Sequence, residues 1–539
     1  KLGDWGYSYN VKNAELKRMV YNEISYDEKI QLHEKASDIL FDLVKDNFDY
    51  VLEELLFHLV KSNQTKRAIN IILERFKSID NKYSPQGRFL LEKAYNIIGD
   101  ETTEEKLVVL ENIVDIHFIK GELEKGQTYL EEYQKTALHL KDYKHIIKGK
   151  MVLIDNYYRR LELDKALKEV EDIELISSQQ NMIEGQVIAL SSRARIDIEN
   201  GKLMEAELSL QKAVDLSLKH NIKDHLGTIY NRLGIIRYLN GNMKDAIDFF
   251  DRSIQYCQEI GDMAEATKPI NNIAGIYIDH FENPIKAMEY YEKGKDIATK
   301  IGILSVEIIF LNNIAELYID NLQYDKALEY LEEVKKGALE IQDLNGLLLA
   351  NINIGNIYLA LSQYDKAFEC SEYLEEVFSS NQVTNVEITA QYYDFLGNFY
   401  GIFGDWDKAI DYSQKACDIC KDFNQKKFLI SKARILAYEI YRSNCFDKKE
   451  IDNIRQIFGS RKVSIYRRKF LLDFALISVV FNELDYAKNI LEEDSRLMKK
   501  LPNAYLDLLH KGLTYFIENS EKSIKSLITL EERFIKKGT

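Results

Sequence analysis

A repeat of about 40 residues constrains this chain more than any other feature of its sequence. The stretch NNIAELYIDNLQYDKA, residues 312–327, predicts a helix, a tight turn and a second helix. A fixed period in this range marks an array in which each hairpin buries its apolar face against its neighbours. The steps between copies are 40, 40, 40, 41, 40, 40 and 42 residues. They are measured between the small residues of the second helices, Gly126, Ala166, Ala206, Ala246, Ala287, Ala327, Ala367 and Ala409.

The composition agrees with an almost wholly helical chain. Only four prolines occur among 539 residues, and proline breaks helix interiors. Gly201, Gly241 and Gly404 fall between predicted helices, where a left-handed residue ends the first helix of a hairpin. Length alone suggests roughly three or four domains. A stacked array grows without dividing in this way, so we predict one all-α solenoid.

Charge and cysteine content exclude several classes of function. The formal net charge of −15 argues against nonspecific nucleic-acid binding, which depends on neutralising phosphates. No apolar run approaches the roughly 20 residues that span a bilayer, and no signal peptide is visible. Five cysteines without a framework spacing favour a reducing compartment. We therefore predict a cytoplasmic protein without a membrane contact, and, because the first residue is Lys1, a fragment of a longer protein.

The spacing inside each repeat resembles that of the tetratricopeptide repeat. A small residue of the first helix precedes the second-helix alanine by twelve positions, as at Gly234, Gly355 and Gly397. The resemblance covers roughly residues 100 to 530. It implies a right-handed superhelix of about ten antiparallel helix pairs that binds a protein or peptide. A fold of this kind hosts many functions, so the resemblance is weaker for function than for fold.

YSYNVKNAELKRMVYNEISYDEKIQLHEKASDIL, residues 7–40, belongs to a stretch of about 70 residues that resembles a junction found in bacterial signal-transduction ATPases with numerous domains, the STAND class. LEELLFHLVKSNQTKRAINII, residues 52–72, carries part of this resemblance, and Ser25 with Glu28 predicts a capping box before it. The resemblance implies an ATPase module upstream as an intramolecular partner. Residues 1–10 look like the remnant of a small strand. We predict a helical adaptor over residues 1–80, the tetratricopeptide solenoid over 81–440 and degenerate helices of the same kind over 441–539.

Asparagines recur in the first helices of the repeats, at fixed distances from the small residue. In the tetratricopeptide family these positions line a concave groove, where a primary amide matches a peptide unit in donors and acceptors. Two tyrosines would add flat contact area. The alternative is that the asparagines hydrogen-bond between adjacent repeats or to water. The predicted peptide-binding residues are Tyr230, Asn231, Asn272, Asn313, Asn353, Asn356, Tyr392 and Asn398, with Asn271, Asn312 and Tyr393 beside them.

Other patterns have simpler interpretations. GELEKGQT, residues 121–128, has the spacing of a phosphate-binding loop, but Gln127 stands where that loop needs lysine, so we predict an ordinary turn. Cys417 and Cys420 lack the further ligands of a structural zinc site and are predicted to be buried thiols. The basic cluster from Arg461 to Lys469 is either a contact for an acidic partner or nucleic acid, or a solvated face or internal counter-charge.

The sequence thus favours a binding scaffold and offers no reason to predict an enzyme or a cofactor in these residues. We predict a sensor or regulatory arm of a larger cytoplasmic signalling protein, with any ATPase or output enzyme outside this chain. The alternative is a quorum-sensing receptor for a signalling peptide that regulates transcription. Such receptors begin with a helix-turn-helix or a short helical bundle, which residues 1–60 do not match well. The ligand and the oligomeric state do not follow from the sequence.

Overall fold

Every regular element that the structure describes is an α-helix. The computed structural model describes residues 14–44, 48–79, 84–119, 122–159, 162–281, 283–380, 383, 385–421, 425–459, 465–499 and 504–518. Within these ranges 26 helices follow one another, so the predicted all-α class is confirmed. The strand remnant predicted for residues 1–10 lies outside them.

The described chain divides after residue 225 into two compact units, with residues 300–302 grouped with the first. Unit 1 holds α1 Ala14–Glu23, α2 Tyr26–Val44, α3 Phe48–Lys61, α4 Thr65–Lys77, α5 Pro85–Ile98, α6 Glu104–Ile119, α7 Leu123–Leu140, α8 Tyr143–Arg159, α9 Leu163–Gln179, α10 Ile183–Glu199 and α11 Leu203–Lys219. Unit 2 holds α12 Leu226–Leu239, α13 Met243–Ile260, α14 Met263–Asp279, α15 Pro284–Ile301, α16 Leu304–Asp320, α17 Tyr324–Glu340, α18 Leu344–Ala360, α19 Tyr364–Ser379, α20 Val386–Ile402, α21 Trp406–Cys420, α22 Gln425–Ser443, α23 Lys448–Gly459, α24 Ile465–Val480, α25 Leu484–Met498 and α26 Ala504–Glu518. This division follows compactness, and the predicted domain boundaries at residues 80 and 440 stay predictions.

From α6 to α25 the helices alternate as first and second members of ten hairpins, which agrees with the predicted number. We call the even-numbered helices of this range A helices and the odd-numbered ones B helices. Gly201, Gly241 and Gly404 have φ of 72°, 80° and 75°, as predicted for residues that end an A helix. In two other hairpins Leu322 and Ser362 take this left-handed conformation, which costs more for a residue with a side chain.

The small residues of the repeat lie where two helices meet closely. A Cβ atom at Gly234 would stand 2.6 Å from the ring of Phe250, and one at Gly397 would meet the hydroxyl of Ser413. The B-helix alanines, such as Ala327, are fully buried. The spacing of small residues therefore sets the distance between the helices of a hairpin.

The predicted capping box at the start of α2 is confirmed. The backbone N–H of Glu28 donates to Ser25 Oγ at 3.3 Å, and the backbone N–H of Ser25 donates to Glu28 Oε2 at 3.2 Å. No described helix is both long enough and apolar enough to cross a membrane.

Candidate functional site

Four of the A helices of unit 2 share one face that their own hairpins leave uncovered. Its residues lie one position after the small residue that contacts the B helix. They are Gly275 on α14, Glu316 on α16, Asn356 on α18 and Asn398 on α20, and none of them is buried. We call these four residues the A-helix stripe.

Beside this stripe, three of the predicted asparagines donate amide hydrogen bonds to an asparagine of the preceding A helix. The pairs are Asn272 to Asn231 at 3.1 Å, Asn313 to Asn271 at 2.8 Å and Asn353 to Asn312 at 3.3 Å. Each pair joins two successive repeats. For these residues the structure favours the inter-repeat interpretation that the sequence left open.

Asparagines that bond between repeats and asparagines that do not are expected to differ in their contribution to stability. We expect Asn353→Ala to lower the free energy of unfolding by about 1–2 kcal/mol, because it leaves the side-chain amide oxygen of the buried Asn312 without its donor. Asn356→Ala is expected to leave stability unchanged or slightly raised, since alanine is the better helix former. Urea denaturation of both variants tests this difference. Equal losses in the two variants would contradict it.

Among the predicted peptide-binding asparagines, Asn356 and Asn398 have side-chain amides that remain available to a ligand. Both residues are half-buried, and no other described residue forms a hydrogen bond with either side chain. A primary amide offers two donors and an acceptor. A ligand can therefore exchange hydrogen bonds with these amides for those that they form with water.

Glu316, on the A helix before these two amides, has the surroundings expected of a concave surface. Its side chain is exposed and accepts a hydrogen bond from Asn312 Nδ2 at 3.1 Å. Nevertheless, desolvation by the surrounding protein raises its pKa. On a flat or convex surface, an exposed carboxylate would not be desolvated. Both properties of Glu316 are compatible where water reaches the carboxylate but protein surrounds it on several sides. Asp473 on α24 is likewise exposed, and desolvation raises its pKa too.

A charged pair also joins two successive repeats, further along the chain than the asparagine pairs. Arg434 of α22 donates to Asp394 Oδ1 of α20 at 2.6 Å. Desolvation lowers the pKa of Arg434, but the Asp394 carboxylate, together with Tyr438 and Asp473, more than offsets this effect, so the net pKa is raised. Sequence reasoning missed this pair. Opposite charges one repeat apart, at positions 394 and 434, are the signal by which it could have been found.

The two predicted tyrosines leave little surface open. The ring of Tyr230 stacks on Tyr256 with 5.4 Å between centroids, and the ring of Tyr392 stacks on Phe378 at 3.8 Å. Their exposed fractions are 7% and 6%. Both rings therefore contribute mainly to packing between A and B helices, and the stripe residues provide the accessible contacts.

Two arginines of the basic cluster form internal ion pairs, whereas Lys469 is exposed. Arg467 binds Glu493 at 2.5 Å, and the wholly buried Arg468 binds Asp494 and Asp507, each at 2.8 Å. For these two arginines the structure matches the counter-charge alternative. Residues 461 and 462 lie outside the described ranges.

The described cysteines and acidic residues form no cluster suited to a metal. Cys417 and Cys420 are buried, as predicted, and burial raises the pKa of both thiols. A raised pKa lowers the thiolate fraction on which redox and metal chemistry depend. No group of three or more His, Cys, Asp or Glu residues in the described ranges is arranged to hold a metal ion.

In one cluster of unit 2, a serine, a histidine and an aspartate contact one another in the same sequence as in a serine hydrolase triad. The hydroxyl of Ser495 lies 3.1 Å from His510 Nε2, and His510 Nδ1 lies 2.8 Å from Asp494 Oδ2. Acyl transfer also needs N–H donors for the oxyanion, but Ser495 lies inside α25, where backbone N–H groups are used by the helix. Since Asp494 also anchors the buried Arg468, we interpret the cluster as structural. The chain is a helical repeat scaffold, a class that is generally non-catalytic.

Two protein families match parts of the chain. Residues 166–346 match the family described as soluble NSF attachment protein, SNAP. Residues 346–422 match the tetratricopeptide repeat. No curated protein matches the sequence.

Several solved structures are similar to this chain. A Rap protein complexed with Competence and Sporulation Factor is 18% identical, with 66% of this chain and 98% of that chain covered and a TM-score of 0.50. A STAND protein with a tetratricopeptide-repeat sensor from Pyrococcus horikoshii is 19% identical, with coverage of 80% and 68% and a TM-score of 0.41. NprR in complex with its cognate peptide NprX is 14% identical, with coverage of 66% and 98% and a TM-score of 0.40. At these identities the similarity concerns the fold alone.

Proposed function

Since the chain contains a tetratricopeptide-repeat region, we propose that it is a scaffold that binds an extended peptide, or an extended segment of a protein, along the A-helix stripe of unit 2. One observation carries this proposal. Asn356 and Asn398 hold half-buried amides without a hydrogen-bond partner among the described residues, and they lie on successive A helices beside a concave surface. Amides spaced in this way suit the main chain of a peptide, whose N–H and C=O groups recur along its length.

The fold of a similar protein is compatible with ligand binding. The Rap protein that resembles this chain was solved in complex with a factor. That complex supports a binding role for this type of repeat array, and the residues that would bind a ligand here are inferred from the chain's own contacts.

We further propose that the scaffold is the sensor arm of a larger cytoplasmic signalling protein. The resemblance of residues 7–40 and 52–72 to the ATPase junction supports this role. The sequence encoded immediately upstream tests it. A nucleotide-binding domain there would support the sensor role, whereas a DNA-binding helix-turn-helix would favour the alternative of a quorum-sensing receptor that regulates transcription.

Selection from a random peptide library tests the binding function. Phage-displayed dodecapeptides are selected on the intact chain, and each selected peptide is then measured on a chain that carries Asn356→Ala and Asn398→Ala. Each amide contributes about 0.5–1.5 kcal/mol net, so we expect the double variant to bind selected peptides roughly 5- to 150-fold more weakly. Fluorescence anisotropy of labelled peptides measures this loss.

The matched control replaces two exposed asparagines that follow A helices, Asn200→Ala and Asn240→Ala. We expect this control to bind selected peptides like the unaltered chain. A selection that yields no specific peptide, or peptides that bind the double variant and the unaltered chain equally, would refute the proposed site.

A further inference from the structure

Gly275 is a helix-interior glycine that packing within the described chain does not explain. At Gly234, Gly355 and Gly397 an added Cβ atom would collide with a neighbouring side chain, whereas at Gly275 it would meet nothing within 4 Å. Glycine is the least favourable residue in a helix interior after proline. Where it is retained without a packing reason, close approach of another molecule to the backbone is one of the uses of glycine.

Glu316, at the equivalent position of the next A helix, also has an unfavourable environment. Its carboxylate is desolvated and receives an amide hydrogen bond from Asn312. The charge of Lys427 partly opposes this rise in the pKa of Glu316, although the ammonium group of Lys427 forms its ion pair with Glu387 at 3.4 Å. A desolvated charge without a close counter-charge is unfavourable. A positive group from a ligand would remove this penalty.

Both residues therefore reduce the stability of the free chain at positions where a ligand would benefit from them. Residues that bind ligands often have this property, because selection for function opposes selection for stability. Gly275 leaves room above the backbone, and Glu316 provides a negative charge. They lie on A helices of successive repeats, separated by about 8–10 Å if the helices pack at ordinary distances. An extended chain advances about 3.3 Å per residue, so this separation corresponds to about three residues.

We propose that the bound peptide places a bulky apolar side chain over Gly275 and, about three residues away, a lysine, an arginine or its own amino terminus against Glu316. This inference rests on the proposed function, because it specifies the ligand of the same stripe. Three helix steps separate Gly275 from Asn398, so an extended segment of roughly eight residues reaches the whole stripe.

The dodecapeptides selected on the intact chain serve as probes of this inference. We expect Gly275→Leu to weaken their binding tenfold or more, because the new side chain fills the space over α14. Glu316→Gln is expected to weaken binding by about tenfold and to abolish the preference for lysine or arginine over glutamine in the peptide. Lys293→Leu is the control, since it adds a leucine at an exposed position of the adjacent B helix.

The free variants provide a second measurement. Gly275→Leu is expected to raise the Tm because leucine is the better helix former and has open space around it. Glu316→Gln is expected to raise the Tm at a pH where the desolvated carboxylate is ionised. Its raised pKa means that the advantage of glutamine disappears as the pH falls below the ordinary pKa of glutamate. Stabilised variants that bind weakly exclude misfolding as the cause of lost binding.

The outcomes separate this inference from the function on which it rests. Peptides that need Asn356 and Asn398 but bind Gly275→Leu and Glu316→Gln without loss would overturn the inference and leave the proposed function intact. Peptides that need neither asparagine, or a selection without any binder, would overturn both. Loss of binding in all three stripe variants, with a bulky residue about three positions from the positive group, would support both.

Discussion

Replacing Asp494 with alanine is expected to lower the free energy of unfolding of the C-terminal repeats by about 3–5 kcal/mol. The side chains of Asp494 and Arg468 have no solvent exposure, and Arg468 Nε lies 2.8 Å from Asp494 Oδ1. Removing the carboxylate takes one of its ion-pair partners from a buried guanidinium, which keeps its contact with Asp507. Urea denaturation, with hydrogen exchange of α24–α26 to locate the loss, measures the effect. Asp485→Ala, at a fully exposed position of α25, is the control, and a loss no larger than that of the control would contradict the expectation.

The same carboxylate makes the stability of this region depend on pH. Desolvation raises the pKa of Asp494, but hydrogen bonds from His510 and Arg468 lower it by more, so its net pKa lies below the ordinary value. The ionised carboxylate therefore stabilises the fold above the unfolded-state pKa, and this contribution is lost as the pH falls through the folded-state pKa. The Asp494→Ala variant is expected to lack this part of the acid dependence.

Phe310→Ala is expected to lower the free energy of unfolding of unit 2 by about 3–5 kcal/mol. Phe310 is 1% exposed, and its ring lies directly against the backbone of Gly294, where an added Cβ atom would collide with it. The substitution opens a cavity between α15 and α16, the helix that carries Glu316. Phe368→Ala, at a position that is 51% exposed, is expected to cost less than about 1 kcal/mol. Thermal and urea denaturation compare the two variants.

A double-mutant cycle tests whether the contact between Phe310 and Gly294 accounts for this loss of stability. Gly294→Ala alone is expected to destabilise the chain, because its methyl group meets the ring of Phe310. In a chain that already carries Phe310→Ala, the same substitution is expected to cost much less. Additive effects of the two substitutions would show that the ring and the glycine do not interact energetically.

The regular parts of the fold could be predicted because one physical requirement repeats along the chain. Small residues twelve positions apart allow two helices to approach, and the structure buries Ala327 and brings Gly397 against Ser413. Turn glycines such as Gly241 follow from the left-handed conformation that ends an A helix. These are local requirements, so a single sequence is sufficient to recognise them.

The candidate site could be predicted only as a helix face, and its individual roles could not. The period placed Asn353 and Asn356 near each other on α18, but one donates to the neighbouring repeat and the other has no partner. The difference depends on the distance between A helices, which spacing along the chain does not reveal. The burial of Tyr392 likewise depends on Phe378, an aromatic partner from the adjacent B helix.

Glu316 and Gly275 were missed for a related reason. An exposed glutamate and a glycine in a helix are ordinary features of a sequence, and here they become informative through their surroundings. The carboxylate is desolvated on a concave surface, and the glycine has open space where comparable glycines have none. Residues that cost stability without a structural reason are visible only once the structure of the repeat is known.

The position of a bound peptide tests the role of the A-helix stripe most directly. A selected dodecapeptide that carries a benzophenone side chain is irradiated in complex with the intact chain, and mass spectrometry identifies the residues to which it cross-links. We predict cross-links on α14, α16, α18 and α20, next to Gly275, Glu316, Asn356 and Asn398. Cross-links confined to B helices or to unit 1 would contradict the proposal that this face binds the peptide.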